Sequence, residues 1–267
     1  MNHLLRSLAP ISDSAWELLD GEAKQRLTPA LAARRLIDFS GPHGWQHSAT
    51  NLGRTQALAS APEQGVTGAR RRVLALAELR ADFAVSAPEL RDHDRGALDV
   101  DLDALDHAAH RIAVAENVAV FHGWAEAEIV GITGASPHAP KPLGEHPEDY
   151  SRAVAGAVEL LLCGGVGGPY GMALGREQYR RVVETDEHGG HLLLDHLRKI
   201  LDGPIVWAPG VRGAVVMSVR GGDFIYDCGQ DLSIGYRHHD ADTVHLYIEE
   251  SFSFLTATPD AAVALTA

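Results

Sequence analysis

The cleanest periodicity lies near the C-terminal end of the chain. Val244, Leu246, Ile248, Phe252 and Phe254 alternate with His245, Tyr247, Glu249, Ser251 and Ser253. That is the period-two pattern of a strand with one face on a core. Glu250 is the single polar residue on its apolar side. Residues 101–122 carry the strongest helical pattern. Leu102, Leu105, Ala109, Ile112 and Ala119 form one stripe, Glu116 interrupts it, and the helix should end near Gly123. Closer to the start, an extended arm over 1–11 leads to Ser12 or Asp13 as N-cap, and Trp16, Leu19, Ala23 and Leu27 recur at helical spacing. Pro29 removes an amide from the helix ladder. A break at Thr28-Pro29 is therefore expected, with Thr28 capping a restart.

Leu36 to Phe39 reads as a short strand, closed by Ser40-Gly41-Pro42-His43-Gly44-Trp45, and Leu79, Ala81, Phe83 and Val85 alternate as another. Residues 46–70 are polar and hold no period. A weak stretch of that length is unusual inside a compact domain and fits a hairpin that leaves it to pair with a neighbour. Residues 131–147 carry four prolines and three glycines and read as a loop. Helices follow from about Pro147 to Leu162, from Gly175, and from Leu192 to Leu201, with short apolar strands at Ile205–Ala208 and Ala214–Val219. The order is neither a regular βαβ alternation nor an all-β ladder, which leaves α+β.

Composition narrows the classes of function. The chain has 267 residues, 45% of them hydrophobic, and a formal charge of −13. An acidic surface disfavours nucleic acid and anionic membrane as partners. No run of about 18 apolar residues occurs. The two cysteines, Cys163 and Cys228, do not make a disulfide framework, and the start lacks the apolar core of a signal peptide, so a reduced cytoplasmic setting is expected.

Candidate chemistry is sparse. Of fifteen histidines, His107 and His110 lie three apart on the long helix without the glutamate of a zinc-protease motif, and read as solvated helix surface. His188-Gly189-Gly190-His191 sits in an acidic loop and reads as a loop tip, and His238-His239-Asp240 as a solvated turn. Gly164 to Gly168 follow a helix rather than a strand, so they are a helix stop and not a phosphate loop. No Gly-x-Ser-x-Gly occurs, neither cysteine has the setting of an activated thiol, and no carboxylate pair stands out by spacing. Enzymatic activity is not expected.

Three segments together carry a resemblance. The first is Leu8-Ala9-Pro10, Trp16 and Gly41-Pro42-x-Gly44-Trp45. The second is Glu78-Leu79-Arg80, Arg95-Gly96 and the helix ending Phe121-His122-Gly123. The third is Gly168-Pro169-Tyr170 with Arg220-Gly221-Gly222-Asp223-Phe224 and Gly229-Gln230-Asp231-Leu232-Ser233-Ile234-Gly235-Tyr236. In this order they resemble the encapsulins, the linocin-type family of shell proteins. The resemblance covers essentially the whole chain. It implies the tailed-bacteriophage major-capsid (Hong Kong phage type) fold, an α+β fold with a core (peripheral) domain, an axial domain and an extended loop. By that likeness 1–45 is the N-terminal arm and helix, 46–78 the extended hairpin, 79–130 and 222–267 the core domain, and 131–221 mostly the axial domain.

The implied function is a hollow icosahedral shell of on the order of 60 or more copies. It would enclose a cargo enzyme, a dye-decolorising peroxidase or a ferritin-like iron protein, captured through the cargo's C-terminal targeting peptide. Positions matching the cargo groove are Leu27, Leu31, Arg34, Leu36, Asp38, Leu232, Ile234 and Tyr236, with Arg34 and Asp38 fixing the peptide's ends. Pro29 interrupts the helix forming one wall. Asp186, Glu187, His188, Gly189, Gly190 and His191 would line a vertex pore. Some members hold flavin through a tryptophan ahead of Glu-Leu-x-x-x-x-Arg-Gly. Here that position is about Pro88, without a tryptophan nearby, so no cofactor is expected, and no metal either. The competing expectations are a phage major capsid protein and a metal-dependent soluble enzyme.

Overall fold

The computed structural model describes residues 3–144, 146–187 and 191–266; for 147, 148, 186, 187 and 191 the description is confined to the backbone. In chain order come α1 (Asp13–Ala30), β1 (Asp38–Ser40), β2 (Ala49–Ala57), β3 (Ala69–Ala75), β4 (Ala77–Ser86), α2 (Ala87–Asp94), α3 (Asp103–His122), α4 (Ile132–Ala135), β5 (Lys141–Pro142) and α5 (Pro147–Cys163). They are followed by β6 (Tyr170–Leu174), α6 (Arg176–Glu184), β7 (Asp186–Glu187), β8 (His191–Leu192), α7 (Leu193–Leu201), β9 (Ile205–Trp207), β10 (Ala214–Ser218), β11 (Phe224–Cys228), β12 (Ser233–His239), β13 (Thr243–Thr256) and β14 (Ala262–Thr266).

Two five-stranded sheets organise the chain. In the first, β13 is the hub. It pairs antiparallel with β11, β12 and, over Ala77–Ser86, with β4, while β1 runs parallel to β11. Its apolar face packs with α1 and α3 around Trp16, Leu19, Leu105, Ile112, Leu246 and Ile248. The second sheet has the order β5-β14-β10-β6-β9. Its core holds Val154 and Leu161 of α5, Leu193 and Leu197 of α7, and Met172, Val215 and Val263 of the strands. The last strand, β14, thus lies in the second sheet, paired with β10 and β5, although 262–266 fall within the 222–267 span grouped with the core domain. The 131–147 loop contains α4 and β5.

The glycine-punctuated stretch over 220–236 holds β11 and the start of β12, which its glycines concealed. Gly235 admits no side chain because the Tyr247 ring lies across it, 2.1 Å from where a Cβ would stand. Gly41 has φ +113°, and its absent Cβ lets the chain press against the Cys228 carbonyl.

The weak stretch after residue 46 forms the antiparallel β2–β3 hairpin, largely exposed along its length, with Leu58, Val66 and Val73 open to solvent. It is joined to the body at its root, where Leu76 N–H donates to Ser48 and Thr50 meets Ser253 Oγ. The polar face of β13 is covered as well: Glu249, Ser251 and Ser253 are buried, beside His3 at Glu249 and Thr50 at Ser253. The arm over 3–9 is short and pinned. Leu4 is buried and its carbonyl accepts from Tyr236 N–H, and His3 stacks on Trp45 at 4.0 Å.

The expected break at Pro29 does not occur there. Helix α1 is continuous to Ala30, and Pro29 lies in its last turn, where few downstream bonds are lost. Thr28 is not an N-cap; its hydroxyl donates back to the Lys24 carbonyl at 2.7 Å. The chain leaves the helix at Leu31, where Asn117 of α3 takes over. Asn117 Oδ1 accepts from the amides of Ala32 (3.1 Å) and Ala33 (3.2 Å), and its Nδ2 donates to the carbonyls of Ala30 (2.8 Å) and Pro209 (3.1 Å). All four hydrogen-bonding positions of a fully buried amide are used. Asn117→Ala leaves the buried Ala33 amide and Pro209 carbonyl without these partners, while the Ala32 amide keeps only the Ala30 carbonyl. It should destabilise the protein by about 2–4 kcal/mol, read as a lowered Tm, more than removal of the exposed His107 side chain on the same helix.

Candidate functional site

Between the C-terminal half of α1 and the segment entering β12 lies an open groove of about 450 Å³. One wall is Ala23, Lys24, Leu27, Thr28 and Leu31; the other is Asp231, Leu232, Ser233 and Ile234, with Ile248 between them. Local sequence explains both walls. Ser12 caps α1 by accepting from Ala15 N–H at 3.0 Å, and the buried face Ala15, Trp16, Leu19, Ala23 and Leu27 seats the helix on α3. Asp231 accepts from Leu232 N–H at 2.8 Å, which turns the chain just ahead of β12. At one end Arg6 pairs with Asp20 at 2.7 Å and lies over the Trp16 ring at 4.0 Å. Among the described residues Lys24 makes no ion pair.

Arg34 also lines the groove, but its guanidinium turns inward. It donates to Glu116 Oε2 of α3 through Nε (2.8 Å), to Asp231 Oδ1 through Nη1 (2.6 Å) and to Glu250 Oε2 of β13 through Nη2 (2.7 Å). The Tyr226 hydroxyl donates to Glu250 at 2.8 Å and reaches Glu116 at 3.2 Å. Glu116 and Glu250 are both wholly buried side chains. These are the two polar interruptions in the apolar stripes of the helix and the strand. Each is explained by the other and by the cation between them.

Comparison with known proteins decides what carries this groove. The linocin family model, described as "Encapsulating protein for peroxidase", matches residues 1–253. A type 1 encapsulin shell protein of Rhodospirillum rubrum is 46% identical over 270 residues, covering 99% of this chain and 96% of that protein. The chain belongs to the encapsulin family. A type 1 encapsulin shell protein of Mycobacterium tuberculosis is 38% identical over 266 residues, the full length of both. Among solved structures, the virus-like particle of Pyrococcus furiosus matches with a TM-score of 0.66 at 16% identity, over 93% of this chain and 98% of that one. The capsid of an empty GTA particle matches with a TM-score of 0.54 at 14% identity, over 89% and 90%. At such identities these likenesses speak for fold alone, and the fold is the expected capsid type, mixed α+β. Both encapsulin relatives are named as shell proteins.

Of the encapsulin groove positions expected from the sequence, Leu27, Leu31, Arg34, Leu232 and Ile234 come together in the groove, and Leu36, Asp38 and Tyr236 do not line it. Leu36 and Asp38 border a separate cleft of about 140 Å³ with Ser218 and Phe224, and Asp38 accepts from Gly222 N–H. Tyr236 is buried, its hydroxyl 2.6 Å from His239 Nδ1. Asp38 is therefore not at an end of the groove, and Arg34 is engaged with carboxylates. Sequence reasoning missed Arg6, Asp20 and Lys24, whose only signal was their place on or beside the polar side of α1. Asp186, Glu187 and His191 belong to the small β7–β8 hairpin between α6 and α7, while His188, Gly189 and Gly190 lie outside the described residues. His107, His110, His238 and His239 are exposed.

Electrostatics of the buried cluster follow from burial. Desolvation, reinforced by Glu116, raises the Glu250 carboxyl well above its ordinary value of 4.5, against the pull of Arg34. Desolvation likewise raises Glu116, again against Arg34. Two carboxyls on one guanidinium thus favour sharing one proton. Because the native state holds that proton more tightly than the unfolded chain, this contribution is complete below the ordinary glutamate value and is lost as pH climbs through the raised native one. Glu250→Gln keeps the shape and removes one titration. The Tm of the variant relative to the parent should rise steadily from about pH 5 to pH 9. A difference independent of pH would contradict the shared proton.

Proposed function

We propose that this chain is the protomer of a closed icosahedral shell in the cytoplasm, which takes up a cargo protein by seating the cargo's C-terminal peptide in the groove between α1 and the 231–234 segment. The groove carries this reading. Its floor of Leu27, Leu31, Leu232 and Ile234 suits the apolar side chains of an extended peptide, and polar groups flank it. Lys24 is the cation available to an acidic group or a terminal carboxylate of that peptide. The family description makes a peroxidase the first cargo to test, with a ferritin-like iron protein second.

Assembly is supported by the hairpin. Its tip packs on nothing in its own chain, yet it carries Arg54, Arg70, Arg71 and Arg72 against one acid, Glu63, in a chain of net charge −13. A basic arm extending from an acidic body suits a neighbouring copy of the same body. In this reading 46–78 is the extended loop, the first sheet with α1 and α3 the core domain, and the second sheet with α5, α6 and α7 the axial domain. The paired strands β7 and β8 then stand at a vertex pore. The acidic body disfavours nucleic acid as contents, against a phage capsid role.

Two measurements test the two halves separately. Replacing Arg70, Arg71 and Arg72 together by Glu should convert particles, seen by size-exclusion chromatography and electron microscopy, into low-mass species with unchanged circular dichroism. Leu232→Asp, at a half-buried position, should leave particles intact while lowering co-purified cargo by about tenfold or more. Failure of the parent protein to form particles at all would overturn the shell reading. Undiminished cargo in Leu232→Asp would overturn only the groove.

A further inference from the structure

A second constellation lies at the root of the hairpin, apart from the groove. After β1 the chain is laid along the end of β11: His43 N–H donates to the Cys228 carbonyl at 2.9 Å and Gly44 N–H to the Gly229 carbonyl at 2.8 Å. The close approach of Gly41 to Cys228 permits this path. It brings His43 and, one turn later, His47 over the carboxylate of Asp227. His43 Nε2 is 2.9 Å from Asp227 Oδ1, and His47 Nε2 is 3.0 Å from Asp227 Oδ2. The ligand atoms of the three residues all lie within 4.8 Å of one another. Ser40 Oγ adds a hydroxyl 3.1 Å from His43 Nε2, and Thr50 Oγ1 hydrogen-bonds Asp227.

We propose that His43, His47 and Asp227 form a binding site for one divalent transition-metal ion at the hairpin root. Two imidazole nitrogens and a carboxylate are a donor set that suits zinc, with an open position for water. Tetrahedral zinc with bonds of about 2.0–2.2 Å separates its donors by roughly 3.3 Å. The two imidazoles now meet different oxygens, His43 meeting Oδ1 at 2.9 Å and His47 meeting Oδ2 at 3.0 Å. To take an ion these contacts open by a few tenths of an ångström while the other donor separations, all within 4.8 Å, close toward it. The carboxylate is prepared for the role. Its two oxygens already face the two imidazoles, and the Thr50 hydroxyl holds one of them in place. Thr50 is the outer partner that orients it. Asp227 is buried while the His43 side chain is 43% exposed, so the ion has a route from solvent. The three ligands come from both sides of a joint: two precede β2 and one belongs to the first sheet. A bound ion therefore fastens the basic arm to the body at the point from which it extends. The inference stands on these residues and not on the cargo reading.

The test uses the full-length protein as purified, stripped with chelator and then desalted. Zn2+ is added and bound metal is counted by elemental analysis after a second desalting; Co2+ is added in parallel for its visible absorption. One ion per protomer is expected, with a cobalt spectrum of a nitrogen- and oxygen-ligated site. His43→Gln and His47→Gln, at partly exposed positions that leave the fold intact, should each lose the ion. Thr50→Val should weaken binding by about 10- to 100-fold. His107→Gln, on the exposed face of α3, should leave binding unchanged. Absence of stoichiometric metal in the parent protein overturns the proposal. Equal binding by His43→Gln and His47→Gln also overturns it, since the ion would then sit on other histidines.

Discussion

One guanidinium sets the spatial frame. Arg34 reaches Glu116, Tyr226, Asp231 and Glu250, residues 82 to 216 positions away in the chain. Its planar fork also lies 5.2 Å from the rings of both Phe39 and Tyr226. A buried cation of this kind tolerates no partial set of partners, because each charge left alone keeps its full desolvation penalty. The end of α1, the middle of α3, β11 and β13 must therefore meet within hydrogen-bond distance of one point. Such a cluster adds little net stability over an apolar replacement of equal shape. What it contributes is a single permitted arrangement of four segments that apolar packing alone would leave free to slide.

The groove sits on this frame. Asp231 holds Arg34 on one side and the Leu232 amide on the other, so the wall bearing Leu232 is tied to the cluster below it. Asn117, one residue after Glu116, fixes the opposite wall by closing the end of α1. Neighbouring polar residues on one turn of α3 thus hold both sides of the groove. This is why Pro29 does not disturb it: the helix end is secured by a side chain from another element, and the lost amide falls in a turn that was ending anyway.

The hairpin follows a different logic. It buries little of its own surface, and its register comes from β2–β3 pairing rather than from a core. Its direction is decided at the root, where Thr50, His43 and His47 gather on Asp227 and where Ser253 closes the polar face of β13. Body and arm thereby differ in what orders them. The body is ordered by two apolar cores and one buried ion cluster, and the arm by its joint and by whatever it meets beyond its own chain.

Local periodicity was enough to reveal α3, α5, β4 and β13, the absence of a core in 46–70, and the mixed class of the fold, because these depend on residues within a few positions of one another. The three motif-bearing segments were enough to point to the family and, through that likeness, to five of the thirteen residues that line the groove. The sequence could not show that Glu116 and Glu250 are partners, and it listed them as two separate flaws in apolar stripes. Nor could it show that Asp38 points away from the groove, that β14 joins the second sheet, or that His43 and His47 share Asp227. Those pairings join residues separated by about 45 to 185 positions. Spacing along a chain carries no trace of such distances; only the folded path, by deciding which buried charges must share an interior, brings them into register.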